Sequence, residues 1–438
     1  LQETSPICYF QNQGAIGCFE VEAMDSQGKL VCVDLFAGCG GLSLGLEMNG
    51  FTPLLFCEIN KAAGMTYLAN RPEMSTGQWI RDIEVLLADD AKVLKKFKRE
   101  WDKAGIEIDL VCGGPPCQGF SGIGHRRTFA VDKEDIPSNH LFKKMIQVIR
   151  ILKPKLFLFE NVKGIMSGRW NPDGEKGEIW QDVQAEFKKL SNIGYYVPDG
   201  VLVSAADYGV PQNRPRVLMA GYRGDWKPIC GELADGLLPR GKEVAPHLED
   251  ILDDLVDPDF EPGLEKTEKY PRAGRGDQLW FRKAKHSGKK MTSFVTFHEY
   301  SQHSPHITEK FSAMLANGGV IPARFQTKKF AQRVLPRRWD LDGGPGRPNI
   351  TVTSLADDYV HYAQPRIPTV REWARMQTFP DWYQFEGPRT TGGQRRAGNP
   401  TLGIWDREVP QYTQIGNAVP VKLAMAIGKH FRRVLSVK

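Results

Sequence analysis

The chain has 438 residues, 41% of them hydrophobic and 25% charged, with a formal net charge of +6. That length predicts two or three domains with cores large enough to need no covalent staples. The eight cysteines are scattered along the chain, which excludes the dense disulfide frame of a small secreted domain and suits reduced thiols in an intracellular setting. No run of 18 apolar residues occurs, so no membrane-spanning helix is expected, and the opening LQETSPICYFQNQ carries neither the basic start nor the apolar stretch of a secretory signal.

In chain order, LVCVDLF (30–36) reads as a buried strand ending in a glycine-rich turn, and GGLSLGLEMNGF carries helical spacing. PLLFCEIN (53–60) is a second strand, followed by a helix over KAAGMTYLANR. IDLVCGGPPC is a third strand that runs into a loop. NHLFKKMIQVIRILKPK is an amphipathic helix, LFLFENV (156–162) another buried strand, and DVQAEFKKLSNIG a helix with a glycine stop. Near-continuous apolar strands between amphipathic helices predict a parallel sheet covered on both faces, a doubly wound α/β fold. The pattern breaks after about Tyr222. From there to about Ala363 the chain is rich in Gly, Pro and charge, with short β-branched runs such as MTSFVTF and NITVTSL. TVREWARMQTF and VPVKLAMAIGKHFRRVL then restore helical periodicity. The expected domains are residues 1–223, a smaller loop-rich domain over 224–363, and a return to the first domain over 364–438.

Charge is unevenly placed. Residues 225–263 hold three Lys/Arg against eleven Asp/Glu, and residues 264–340 hold sixteen against six. The basic block predicts a nucleic-acid footprint, against the plainer reading of a solvated charged face.

The turn DLFAGCGGLSLG lets backbone approach a ligand at Gly38 and Gly40, although it is not the dinucleotide fingerprint with its third glycine in place. Glu58 ends the next strand, where an acidic side chain commonly accepts hydrogen bonds from ribose hydroxyls. Asp82 stands where a third strand would end. Phe36, Glu58 and Asp82 together suggest an adenosine-type cofactor at the carboxyl edge of the sheet, whereas Asp109 reads as a strand-start or turn residue.

The stretch GGPPCQGFSG (113–122) cannot be the middle of a helix or strand, because prolines fix φ and glycines free it. It is a shaped loop with Cys117 at its bend. A small buried thiol is the usual fate of cysteine, but reactive cysteines sit in polar, loop-borne sites of this kind. Glu160 follows an apolar strand, where a carboxylate is costly unless it is paired or used. Arg214 and Arg216, in GVPQNRPRV, share a face of an extended segment; the plain alternative is a pair of surface arginines in a turn. Zinc is disfavoured, since Cys112 and Cys117 have no second pair nearby. The histidines of HEYSQHSPH (298–306) read as DNA contacts or plain surface.

DLFAGCGGLSLG, GGPPCQGFS, ENVKG, PQNRPR, RIPTVREWARMQTFP and QIGNAVP occur in that order, and with them the chain resembles the cytosine-5 DNA methyltransferases over about residues 30–223 and 364–435. The resemblance implies a Rossmann-like methyltransferase sheet and S-adenosyl-L-methionine as cofactor. It makes Cys117 the nucleophile on cytosine carbon 6, Glu160 the partner of N3 and the exocyclic amine, and Arg216 with Arg214 the holders of the base O2. Cofactor contacts carried over are Phe36, Gly38, Gly40, Glu58, Ile59, Asp82, Ile83, Pro116, Leu141, Asn417 and Val419; Ile59 departs from the aromatic residue of some members. No metal is implied.

The target cytosine must leave the base stack to be reached. The stretch after Cys117 resembles the family's mobile loop, in which Gln118, Ser121, Arg126 and Arg127 would meet DNA. Residues 224–363 fall where the family keeps its variable target-recognition domain, and the arginines of TVREWARMQTFP read as its scaffold. The implied partner is double-stranded DNA, with no membrane, a monomeric state, and a restriction endonuclease sharing the target without stable contact. The location follows the source: cytoplasm and nucleoid in a bacterium, nucleus in a eukaryote. Competing readings are a tRNA methyltransferase of the same family, a non-catalytic regulatory relative and a nicotinamide oxidoreductase.

Overall fold

The computed structural model describes residues 7–9, 17–19, 30–116, 137–225, 236–284, 293–327, 332–339, 347–390 and 408–436. A short antiparallel hairpin, β1 (Ile7–Tyr9) and β2 (Gly17–Phe19), precedes the main body. The main sheet comprises β3 (Leu30–Leu35), β4 (Phe51–Cys57), β5 (Trp79–Ile80), β6 (Leu110–Gly113), β7 (Leu156–Val162), β8 (Tyr195–Tyr196), β9 (Val201–Ser204) and β10 (Pro215–Arg223). Its order is β5-β4-β3-β6-β7-β10-β8, with β9 also paired to β10.

Strands β3 to β7 are parallel, so their carboxyl ends share one edge. The expectation of a wholly parallel sheet fails at β10, which runs antiparallel to β7, β8 and β9. The reason is loop length. Residues 205–214, which link β9 to β10, are too few for a crossover helix, and short links favour antiparallel neighbours. The reversal has a use: it brings the amino end of β10, with Arg214 and Arg216, to the edge where the parallel strands end.

Helices α1 (Gly41–Glu47), α2 (Lys61–Ala69), α3 (Ile83–Lys103), α4 (Leu141–Leu152) and α5 (Glu178–Lys188) alternate with these strands. Helix α3 is interrupted at Ala88–Ala91, where Asp89, Asp90 and Ala91 take positive φ. The apolar face of α4 (Phe142, Met145, Ile146, Ile149) joins one core layer with α3, α5 and the sheet. The other face of the sheet is covered through Leu42 and Leu46 of α1 and the closing helix α11 (Val421–Ser436). Gly45 is what lets α1 and α11 touch, since a Cβ there would lie 2.4 Å from that of Ala424.

A second core gathers α6 (Leu248–Leu252), α7 (Asp277–Lys283), α8 (Pro305–Ala316), α9 (Val370–Met376) and α10 (Gln411–Asn417) with the short parallel pair β11 (Arg333–Val334) and β12 (Tyr359–Val360). Fully buried Trp373 belongs to it. Buried ions run through this core. Arg375 of α9 binds Asp254 at 2.5 Å and Asp381 at 2.6 Å, and Asp254 also takes Arg282. Arg366 forks onto Glu372 through both Nη groups, at 2.8 and 2.7 Å. The arginines around TVREW are thus internal struts, as the sequence predicts.

The charge asymmetry gains a second meaning. Glu249 pairs with Arg337 and Arg338, Asp253 with Arg272, and Asp254 with Arg282. Part of the basic block is therefore matched by the acidic block before it. His298 is also not surface: it is buried, with Nδ1 at 2.9 Å from Thr369 Oγ1 and Nε2 at 3.0 Å from the Leu255 carbonyl.

Candidate active site

Four strand ends and one strand start build the site. After β3, the chain turns sharply through Phe36 (φ 59), Gly38 (φ 56) and Gly40 (φ 85). Ala37 N donates to the Cys57 carbonyl, tying this turn to the end of β4. Glu58, the next residue, folds its carboxylate back. Oε2 accepts from Gly38 N and Oε1 from Asn60 N, both at 2.8 Å. Burial holds its pKa above the ordinary glutamate value, and these two amide donors oppose that rise. Each carboxylate oxygen retains acceptor capacity.

Around this turn lies open room. A Cβ on Gly38 would meet no atom of the described residues within 4 Å. Ile59 is 65% exposed although large and apolar. Asp82 caps α3, accepting from Glu84 N at 2.9 Å, while Ile83 beside it is buried in the core. Leu141 begins α4, half-buried against the same layer. On the opposite side, Gly41 of α1 approaches the Val419 carbonyl so closely that a Cβ would lie at 2.4 Å. Exposed Asn417 and half-buried Val419 therefore stand beside the glycine turn although some 380 residues separate them in sequence.

Beneath lies a polar cluster that no motif in the sequence announces. Asp34, buried at the end of β3, accepts from Ser43 Oγ at 2.5 Å, and Ser43 lies 2.7 Å from Tyr67 Oη. Burial pushes the Asp34 pKa up to about 7. Below it Arg71 and Glu47 form a buried pair at 2.6 Å. These polar groups fasten α1 and α2 under the turn. An aspartate just before a glycine turn, with serine nine residues on, was the available signal.

The second half of the site is a charged pair. In the β7–β10 register Leu218 faces Glu160 and Arg216 faces Val162, so Glu160 and Arg216 are diagonal neighbours on one face. Arg216 Nε reaches Glu160 Oε1 at 2.7 Å, with both side chains about one-tenth exposed (9% and 10%). A Cβ on Gly114 would lie 2.7 Å from Glu160 Oε2, so the Pro-Pro-Cys loop leaves the sheet directly over the carboxylate. Asn161, pointing the other way, donates to the Pro115 carbonyl at 3.0 Å and pins the loop's root. Pro116 is exposed at the end of the described stretch. Cys117, Gln118, Ser121, Arg126 and Arg127 lie outside the described residues.

Arg214 is buried too, but its Nη groups are taken by backbone. Nη1 donates to the Val352 carbonyl at 2.8 Å, and Nη2 to those of Gly416 and Ala418 at 2.6 and 2.9 Å. The two arginines are thus neither surface nor equivalent. Cys112 is buried in β6 with its sulfur 3.7 Å from the Val33 carbonyl.

The chain matches the family model described as C-5 cytosine-specific DNA methylase over residues 30–433. It is 32% identical over 412 residues to the Type II methyltransferase M.DdeI of Desulfomicrobium norvegicum, covering 91% of this chain and 87% of that one. It is 31% identical over 410 residues to M1.HphI of Haemophilus parahaemolyticus, covering 92% and 86%. Among solved structures, a prophage-encoded E. coli chain described as a DNA modification methyltransferase superposes with a TM-score of 0.65 at 24% identity, over 93% of this chain and all of that one; this likeness supports the fold. With the whole body of the protein matched, the chain belongs to the C-5 cytosine-specific DNA methylase family.

Proposed function

We propose that Cys117, Glu160 and Arg216 carry methylation of a cytosine turned out of duplex DNA, within a sequence read by residues 224–363. Methyl transfer from S-adenosylmethionine to carbon 5 of cytosine in DNA is the reaction of this family and of this chain. The observation that carries the residue assignment is the buried Glu160–Arg216 pair directly beneath the root of the Pro-Pro-Cys loop.

The chemistry asks for a nucleophile, because carbon 5 of cytosine is itself a poor one. A Cys117 thiolate adds to carbon 6, forming the S–C6 bond and releasing the C5=C6 electron pair toward carbon 5. Glu160 meets N3 and the exocyclic amine, and Arg216 meets O2, so that charge gathering on the ring is countered by groups already in place. Carbon 5 then takes a methyl group. Loss of the carbon 5 proton restores the C5=C6 bond and expels the Cys117 thiolate, with one proton released overall.

The residues present fit the cofactor. The open space at Gly38, the exposed Ile59 and the spare acceptor capacity of Glu58 form a cradle for a nucleoside with ribose hydroxyls. Phe36, Asp82 and Leu141 flank it, and Asn417 and Val419 close it from the last helices. S-adenosylmethionine supplies there an electrophilic methyl on a sulfonium.

Curated relatives named as Type II methyltransferases support a modification role paired with a restriction endonuclease that shares the target sequence without stable contact. No helix among the described residues is long and apolar enough to cross a membrane, and action as a monomer inside the cell completes the reading. The test is transfer of tritiated methyl groups to mixed-sequence duplex DNA and, separately, to total tRNA, with the labelled base identified. 5-Methylcytosine in DNA is expected; label confined to tRNA would overturn the substrate.

A further inference from the structure

Arg214 presents a physical puzzle. It is a buried guanidinium with no carboxylate of its own among the described residues, because Glu160 is bonded to Arg216. Burying a charge without a paired ion is expensive, and among the described residues its Nε finds no hydrogen-bond partner. All its hydrogen bonds go to three backbone carbonyls. Those carbonyls come from two separate places. Gly416 and Ala418 flank exposed Asn417 on the cofactor side. Val352 lies on the segment that returns from the loop-rich region, where Asn213 N donates to the Ile350 carbonyl at 2.7 Å and Gln212 Oε1 accepts from Val352 N at 3.0 Å. Two residues further along the same strand is Arg216, in the base pocket.

We propose that Arg214 is a positioning residue that makes cofactor capture and target-base capture depend on each other, an inference that rests on the proposed function. Its planar fork spans both walls and is rigid in a way a lysine is not. When a base engages Arg216 and Glu160, the backbone at 214–216 is held. The carbonyls on both sides of Asn417 are then held with it. The return segment at Val352 is locked to the same point, so DNA seated on residues 224–363 favours the same arrangement. Coupling of this kind is reciprocal by linkage: whatever the DNA does to cofactor affinity, the cofactor does to DNA affinity.

The test uses the full chain, tritiated S-adenosylmethionine and unmethylated plasmid DNA, with initial rates over a grid of both concentrations. In the parent protein, saturation with either substrate should lower the KM of the other by about fivefold or more. Arg214→Lys should reduce that interdependence to less than about twofold, while binding of S-adenosylmethionine without DNA changes little. A purely structural role would lower kcat and Tm but leave the interdependence intact, and that result overturns the inference. Should Arg214→Lys fail to fold, Gln377→Met provides the second test. Gln377 Nε2 grips the Ile415 and Ala418 carbonyls at 2.7 and 3.1 Å, so its loss should weaken the interdependence in smaller degree; an unchanged value overturns the inference. A parent that labels no DNA cytosine overturns the proposed function and the inference together. A parent that labels cytosine with independent KM values overturns the inference alone.

Discussion

Replacing Glu160 with glutamine separates the two roles assigned to its carboxylate. The amide keeps the volume and one acceptor for Arg216 Nε, now 2.7 Å away. It removes the negative charge from a site that holds two buried arginines. Breaking a buried ion pair by loss of one partner costs about 3–5 kcal/mol, and the retained neutral hydrogen bond returns about 1 kcal/mol. The remaining loss, roughly 2–4 kcal/mol, should lower Tm by several degrees. Catalysis should suffer separately. Removing one preorganised group that counters charge in the transition state lowers kcat by about 100- to 1,000-fold. Thermal unfolding and single-turnover methyl transfer on folded Glu160→Gln protein measure the two effects independently. Parent-like kcat with a lowered Tm would make the pair a strut and remove Glu160 from the base pocket. Parent values of both would refute the burial argument itself.

Gly38→Ala places a methyl in the open cradle at φ 56; the left-handed backbone costs about 1–2 kcal/mol, so Tm should fall modestly while calorimetry shows a cofactor Kd raised about tenfold or more, and an unchanged Kd would place the cofactor elsewhere. Arg375→Met strips buried Asp381 of its ion-pair partner and leaves Asp254 with Arg282 alone, and should cost about 3–5 kcal/mol in urea unfolding, whereas Arg324→Met, in an exposed pair with Glu309, should leave unfolding unchanged. Stability should also respond to pH in two opposed ways. His298 and His361 are held neutral by burial, with pKa values lowered to about 4 and about 3, so stability falls as pH drops from about 6.5 toward 4, where only the unfolded chain takes up their protons. Asp34, raised to about 7, costs stability as pH climbs from about 4 to 7, because only the unfolded chain releases its proton there. Asp34→Asn should therefore stabilise the protein more at pH 8 than at pH 4.5 in Tm measurements; a gain independent of pH would refute that assignment.

Local pattern made much of the fold legible. LFLFENV was readable as a strand because an apolar run of that length between turn signals fits little else, and the strand observed is Leu156–Val162. Helix α4 was readable from apolar spacing on one face. Strand direction was not, because an apolar run carries no arrow; only the short link from β9 fixes β10 as antiparallel. Helix α3 was overlooked, its apolar positions diluted by charge and broken at Ala88–Ala91. NITVTSL, a β-branched run in a region read as loop-rich, is an irregular segment, its backbone groups taken by Gln212, Asn213 and Arg214. The charge blocks misled in part because composition cannot say that an acidic stretch will fold onto the basic one beside it. At the site, residue types pointed to Glu58, Glu160 and the pair Arg214 and Arg216, and the fold brings Glu160 and Arg216 into contact. Spacing alone could not distinguish Arg214 from Arg216, since Arg214 takes backbone partners more than 100 residues away while Arg216 takes Glu160 on the neighbouring strand.

The proposed function stands on a covalent bond between Cys117 and carbon 6 of the target cytosine. Duplex DNA bearing 5-fluorocytosine tests it most directly, because fluorine cannot leave carbon 5 as a proton does and the adduct therefore persists. The chain should be incubated with this DNA and S-adenosylmethionine, digested, and the nucleotide-bearing peptide sequenced by mass spectrometry. One modified residue is expected, Cys117, with no adduct from Cys117→Ser. Attachment at another cysteine, or normal 5-methylcytosine formation on ordinary DNA by Cys117→Ser, would contradict it.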